Sequence, residues 1–270
     1  MSMPDFGIMR LSFSLAVGCA IATSVLSFSR PLDAQSIGMF RNDPNEVILK
    51  VIRSMPQGGG YSASNGAIAR LSEAARIERG TLVLDPAIAK PSFCSEATYL
   101  VFLTALADLN NQAPITGPLA ESLAVKGQPD GVGIWGRWNA NGPGTACLFH
   151  ELQLGDNFTD WNSAHPGDFM KIFWNTNVGR REHGHSAIYL GTTTQNGVEW
   201  VSFWSSNIPN GFGEKQVLKT KIASVIFSRL RYPERLQRNF ATLPRRNSYL
   251  AGLLSRESSL AEARANSGVE

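Results

Sequence analysis

Cysteine is scarce in this chain: Cys19, Cys94 and Cys147 are the only three among 270 residues. That number excludes a disulfide framework, and a core of this size does not need one. Short-spaced pairs of cysteine or histidine are missing too. A zinc site would have to combine His183 and His185 with Cys94 or Cys147, without a recognisable ligand motif. No metal or cofactor is therefore expected. The glycine run Gly58-Gly59-Gly60 has neither a strand before it nor a Gly-Lys-Ser/Thr ending, so it reads as a flexible turn rather than a phosphate loop. A net charge of +3 is too small to point to nucleic acid. There is no internal repeat. The apolar fraction of 43% and charged fraction of 17% are those of an ordinary globular protein.

Charge is also absent from Leu11 to Phe28, a stretch of apolar and small residues that follows Arg10. Pro31 comes after it, and Ala34 supplies a small residue before a cleavage point. Residues 1–34 therefore read as an export signal, which places the mature chain in the periplasm or outside the cell, with no stable membrane insertion once the signal is removed. An uncleaved anchor and lipid attachment at Cys19 rank below simple secretion. Removal of the signal leaves Cys94 and Cys147. A disulfide between them is the main alternative to a free, reactive Cys94, whereas Cys147 reads as a small buried apolar residue.

The body of the chain is expected to run from residue 35 to 245, with a polar tail over 246–270 in which Leu250 to Ala265 reads as a polar helix or a frayed end. Asp43 and Pro44 predict a helix start, and Val47, Ile48, Val51 and Ile52 give it one apolar face. A second helix is expected from Ser64 or Asn65 to Gly80, and a short strand over Thr81–Leu84. A third, strongly apolar helix follows Cys94. Residues 112–168 read as an irregular, aromatic-rich segment in which Val125 to Trp138 either wraps a groove or belongs to an insertion packed by its own aromatics. Strands are expected over Asp168–Trp174, His185–Leu190 and Val198–Ser206, with one or two more over Val217–Lys221 and Val225–Leu230. The short links imply an antiparallel sheet. Between Lys215 and Arg246 nine bases stand against a single acid, Glu234, which suggests a solvated basic face with weak attraction for anionic surfaces.

Cys94 lies at the mouth of its helix, in Phe93-Cys94-Ser95-Glu96. Unpaired N–H groups and the positive end of the helix dipole stabilise a thiolate there. His185 follows 91 positions later (185 − 94), at the start of His185-Ser186-Ala187-Ile188-Tyr189-Leu190-Gly191, a strand-like run. An imidazole on a facing strand is a suitable base for such a thiol. His183, two positions earlier, shares the strand face and is the alternative base.

Three segments carry a resemblance. They are Phe93-Cys94-Ser95-Glu96, then Pro166-Gly167-Asp168-Phe169-Met170-Lys171-Ile172-Phe173, and then the run from His185 to Gly191. In order and approximate spacing they resemble the NlpC-type cell-wall peptidases and their CHAP amidase relatives, with coverage mainly over residues 90–207. The resemblance implies an α+β fold of papain-like architecture, N-terminal helices packed on an antiparallel sheet. It also implies a thiol hydrolase that cleaves amide bonds in peptidoglycan or peptide substrates. Cys94 becomes the nucleophile and His185 the general base. Asn207, or otherwise Ser206, becomes the residue that orients the imidazole, and the Cys94 N–H faces the oxyanion. Two positions depart from the pattern: Phe93 replaces the usual Asp, and Glu96 replaces a Gly, adding a carboxylate that opposes a nearby thiolate. Two other classes compete. One is a non-catalytic wall- or glycan-binding module, with Trp135, Trp138, Trp161 and Trp204 as stacking surfaces. The other is a lecithin–retinol-type acyltransferase acting on lipids.

Overall fold

The computed structural model describes residues 43–110, 113–127 and 130–269. The export-signal expectation, 1–34, lies outside them. No described helix is long and apolar enough to cross a membrane.

Local chemistry accounts for most of the helical half. Helix α1 (Pro44–Ser54) is capped by Asp43, whose carboxylate accepts from Asn45 N–H at 3.0 Å. A two-residue strand, β1 (Gly58–Gly59), follows. Helix α2 (Asn65–Ala74) is capped by Ser64 but stops before the expected Gly80. Ala75–Glu78 (β2) instead pairs with Thr81–Leu84 (β3) as a hairpin. Its turn, Arg79-Gly80, has φ of 52° and 76°. Two consecutive positive φ values give the primed turn that suits a hairpin, so turn geometry overrides the continuing apolar period.

Helix α3 (Cys94–Leu109) is apolar on nearly every side and lies at the centre of the molecule. Residues 113–158, expected to be irregular, form α4 (Gly117–Leu123), α5 (Gly133–Trp138), α6 (Gly144–Leu152) and β4 (Gly155–Phe158). Short length and frequent Gly and Pro hide these helices in the sequence. Packing forms them: Trp135, Trp138 and Phe149 are buried against Tyr99 and Phe102 of α3, with Trp138 stacked on Phe102 at 4.8 Å. Arg137, fully buried, pairs with Glu151 and donates to the carbonyls of Gly131, Gly133 and Pro244. It thereby ties this helical layer to the chain beyond the sheet.

The second half is antiparallel, as the strand pattern implies. It comprises β5 (Phe169–Phe173), β6 (Val178–Gly179), β7 (Gly184–Gln195), β8 (Val198–Asn207), β9 (Gly211–Leu218) and β10 (Ser224–Leu230). Seven strands form one sheet in the order β1-β9-β8-β7-β5-β10-β4. One face carries Phe169, Ile188, Trp204 and Phe212 against the helices. The other buries Met170, Ile172, Ala187, Tyr189, Val201, Phe203, Val225 and Phe227 as a second core. Asp168, just before β5, is fully buried and bridged by Arg229 at 2.7 and 2.8 Å, with Asn45 Nδ2 donating at 2.9 Å. The Pro-Gly-Asp segment thus locks α1 onto β10.

The C-terminal segment is not a polar tail. Beyond α7 (Glu234–Asn239), the chain forms α8 (Ser248–Gly252), β11 (Glu257–Ser258) and α9 (Leu260–Asn266). Strand β11 pairs with β6, and Leu250, Leu253 and Ala263 are fully buried beside Cys147, Phe173 and Val178. Few apolar residues suffice here, because each is aimed at an existing face.

Candidate active site

Four segments meet at Cys94. Phe93 caps α3 without a polar side chain; its ring is buried against Trp135 at 6.5 Å and anchors the helix start by apolar contact. The first turn is fixed further by Trp138 Nε1, which donates to Ser95 O at 3.1 Å, and by Ser95 Oγ, which donates to Asn139 Oδ1 at 2.5 Å. Cys94 is half-buried at the first helical position, and both Cys94 and Cys147 are free thiols. Cys147 is fully buried, and burial pushes its thiol up.

Strands β7 and β8 supply the base and its partner. Their register pairs Ile188 with Trp204; continuing it sets His185 opposite Asn207. His185 Nε2 lies 3.2 Å from Asn207 Oδ1. The amide is oriented by two further bonds, in which Asn207 Nδ2 donates to Ser205 O at 3.2 Å and Gly213 O at 2.8 Å. Both N–H groups are therefore spent on carbonyls, and Oδ1 must accept. That places a proton on Nε2 and leaves Nδ1 to exchange the other proton. The ring is held edge-on to Phe203 at 5.5 Å and flanked by Trp174 at 6.2 Å.

The Cys94 thiol is lowered from 9.0 to about 7. Burial is the largest influence and acts upward. A hydrogen bond with His185 and the His185 charge act downward, helped by the Ser186 backbone and the Lys171 charge, and together they win. Lys171 is itself paired with buried Glu182 at 2.5 Å.

Glu96, expected to oppose the thiolate, does not. It is fully buried, and burial pushes its carboxyl up to about 9, so it is neutral at pH 7. Its Oε2 accepts from Phe93 N–H at 3.3 Å. Among the described residues its Oε1 has no partner.

Ser206, the alternative third residue, does not face the imidazole. Fully buried, it donates to Ser92 O at 3.0 Å and accepts from Ser92 Oγ at 2.9 Å. It ties the loop before Cys94 to β8. His183 is exposed, and the bond to Asn207 belongs to His185.

Tyr61 is the site residue that sequence reasoning misses. Half-buried, it lies beside the Cys94 thiol; burial raises the phenol, and the neighbouring Cys94 raises it further. Gly58, Gly59 and Gly60 bring it there, with φ of 65°, 90° and 80°. Three successive left-handed residues are tolerated only as glycine. The run is thus no loose turn: β1 pairs with Phe212 and Gly211, and Tyr61 bridges to Ser92. A glycine triplet directly before an aromatic was the available signal.

A groove of about 450 Å³ opens beside His185, lined by Tyr61, Trp174, His185, Phe203, Asn207 and Lys215 among others. The four tryptophans proposed as stacking surfaces do not form one. Trp135, Trp138 and Trp204 are at most 2% exposed, and Trp161 is half-buried against Tyr189 and Phe227. Several bases of the 215–246 stretch are also engaged: Arg229 with Asp168, Arg231 with Asp156, and Lys219 with Glu199. Among the described residues no cluster of three metal-ligating side chains occurs. No protein-family model, curated protein or solved structure matches the chain.

Proposed function

We propose that the chain is a papain-like cysteine hydrolase that cleaves an amide bond by a Cys94–His185–Asn207 triad. The observation that carries this reading is the chain of contacts from Asn207 through His185 to a thiol lowered to about 7. The Cys94 thiolate attacks the amide carbonyl, forming the C–S bond and a tetrahedral oxyanion. The Cys94 backbone N–H, unpaired as the first of its helix, and the Tyr61 hydroxyl beside the sulfur are the available donors to that oxygen. As the C–N bond breaks, His185 gives its proton to the leaving amine. His185 then takes a proton from water, whose oxygen attacks the thioester, and the carboxylic acid and the thiol are released.

The substrate class favoured by the three-segment resemblance is a peptide of the bacterial cell wall. Neutral Glu96 removes one objection to that reading. The test is the pH dependence of Cys94 alkylation by iodoacetamide, with the modified residue located by peptide mapping. A midpoint near 7 is expected. In His185→Ala burial remains and its counterweight is lost, so the midpoint moves above 9.0. Release of peptides from peptidoglycan, abolished in Cys94→Ser, is the matching activity. A thiol that titrates at or above its ordinary value and ignores His185 overturns the triad.

A further inference from the structure

The groove is built from aromatic and basic side chains and has no acid. Lys215 and His183 line it with Trp174, Phe203 and Ile208, and neither Asp nor Glu appears. The β8–β9 register sets Lys215 directly opposite Phe203, whose ring also meets His185 edge-on. Phe203 is therefore a shared floor, with the catalytic imidazole at one end and the lysine at the other. Lys215 is exposed and makes no salt bridge among the described residues. The Cys94–His185 pair carries no net charge whichever of the two holds the shared proton, and Lys171 is paired with Glu182. The uncompensated charge of the groove is thus the Lys215 ammonium. Ile208, 66% exposed at the rim, adds an apolar contact.

We propose that Lys215 binds a carboxylate of the substrate, and that the groove selects acidic peptides with an apolar stem between that carboxylate and the scissile amide. The proposal rests on the hydrolase reading of the same site. Strand spacing fixes the span. Lys215 lies two strands across from His185 and about four residues along, roughly 16 Å between Cα atoms. Both side chains stand on the same face of the sheet, and a lysine stem of about 6 Å leaned along it toward His185 brings the ammonium to roughly 10 Å at the nearest, about three extended residues. A carboxylate two to three residues from the reacting carbon matches that length.

The test uses bromoacetyl-glycyl-glycine and its C-terminal amide, which differ only in the terminal charge. The Cys94 thiolate displaces bromide, forming a C–S bond, and the second-order rate is read for each reagent. The acid-to-amide ratio is expected to be about tenfold in the natural chain, the scale of one charge-assisted contact. It is expected to fall to about one in Lys215→Gln and below one in Lys215→Glu. A ratio near one in the natural chain, or one that Lys215→Gln leaves in place, overturns the lysine proposal and spares the triad. Failure of the triad shows separately, as an unactivated thiol in the iodoacetamide titration of the unsubstituted chain.

Discussion

Asn207 holds His185 through an oxygen that has no alternative. Its amide nitrogen is committed to the carbonyls of Ser205 and Gly213, and its oxygen stands 3.2 Å from His185 Nε2. The side chain both fixes the ring and dictates which nitrogen keeps its proton. Nothing else reaches that nitrogen among the described residues.

Replacing Asn207 by Ala frees the imidazole while leaving the thiol in place. The expected result is a fall in kcat of about ten- to hundredfold, the usual cost of a misplaced catalytic group. The pH midpoint of Cys94 alkylation should move upward, because a wandering ring stabilises the thiolate less. A variant with native kcat and an unmoved midpoint would make Asn207 a purely structural residue. Asn207→Asp does not rescue it, since a carboxylate would face two carbonyls that now receive a proton donor.

Glu96 makes the fold weaker as pH rises. Its folded value, about 9, lies above the ordinary 4.5, so between those values the folded chain holds a proton that the unfolded chain has released. Stability from this group is complete below 4.5 and is lost as pH climbs toward 9. The slope approaches about 1.4 kcal/mol per pH unit. Thermal unfolding at pH 5, 6, 7 and 8 should show a falling Tm in the natural chain and a flatter profile in Glu96→Gln. Parallel profiles would mean that Glu96 is ionised in the folded protein.

Removal of residues 246–269 should open the molecule rather than trim it. Leu250 and Leu253 are fully buried over Cys147 and Phe173. Loss of either leucine from a core typically costs about 2–5 kcal/mol. The truncated chain is expected to lose most of its cooperative unfolding transition, and iodoacetamide should label Cys147, which is sealed in the full chain. A truncated chain that unfolds at the native temperature with Cys147 protected would return this segment to the status of a tail.

The sheet was legible because strands such as Phe169–Phe173 and Val198–Asn207 carry their apolar and β-branched residues in uninterrupted runs. The helix starts at Asp43 and Ser64 were legible because capping is local chemistry. Cys94 and His185 were legible as a pair because each opens a long regular element. The stretch from α4 to α6 was not, since those helices owe their existence to the buried faces of Trp135, Trp138 and Phe149 rather than to any period of their own. Tyr61 was hidden for a different reason. Its role depends on the backbone path of three glycines and on pairing with residues some 150 positions away, at Gly211 and Phe212. Glu96 misled because a carboxyl reads as a charge in sequence, and only burial reveals it as neutral.

The groups around Cys94 come from distant parts of the chain: Tyr61 precedes it, His185 follows it, and the Ser92–Ser206 link joins positions 114 apart. In the unfolded polypeptide Tyr61, His185 and Ser206 are all far from the sulfur, and the thiol is an ordinary one. The lowering of its pKa is therefore created by the closing of the fold. The lowered midpoint of Cys94, rather than its alkylation as such, is thus the mark of the closed fold, because it needs the helical and sheet halves together.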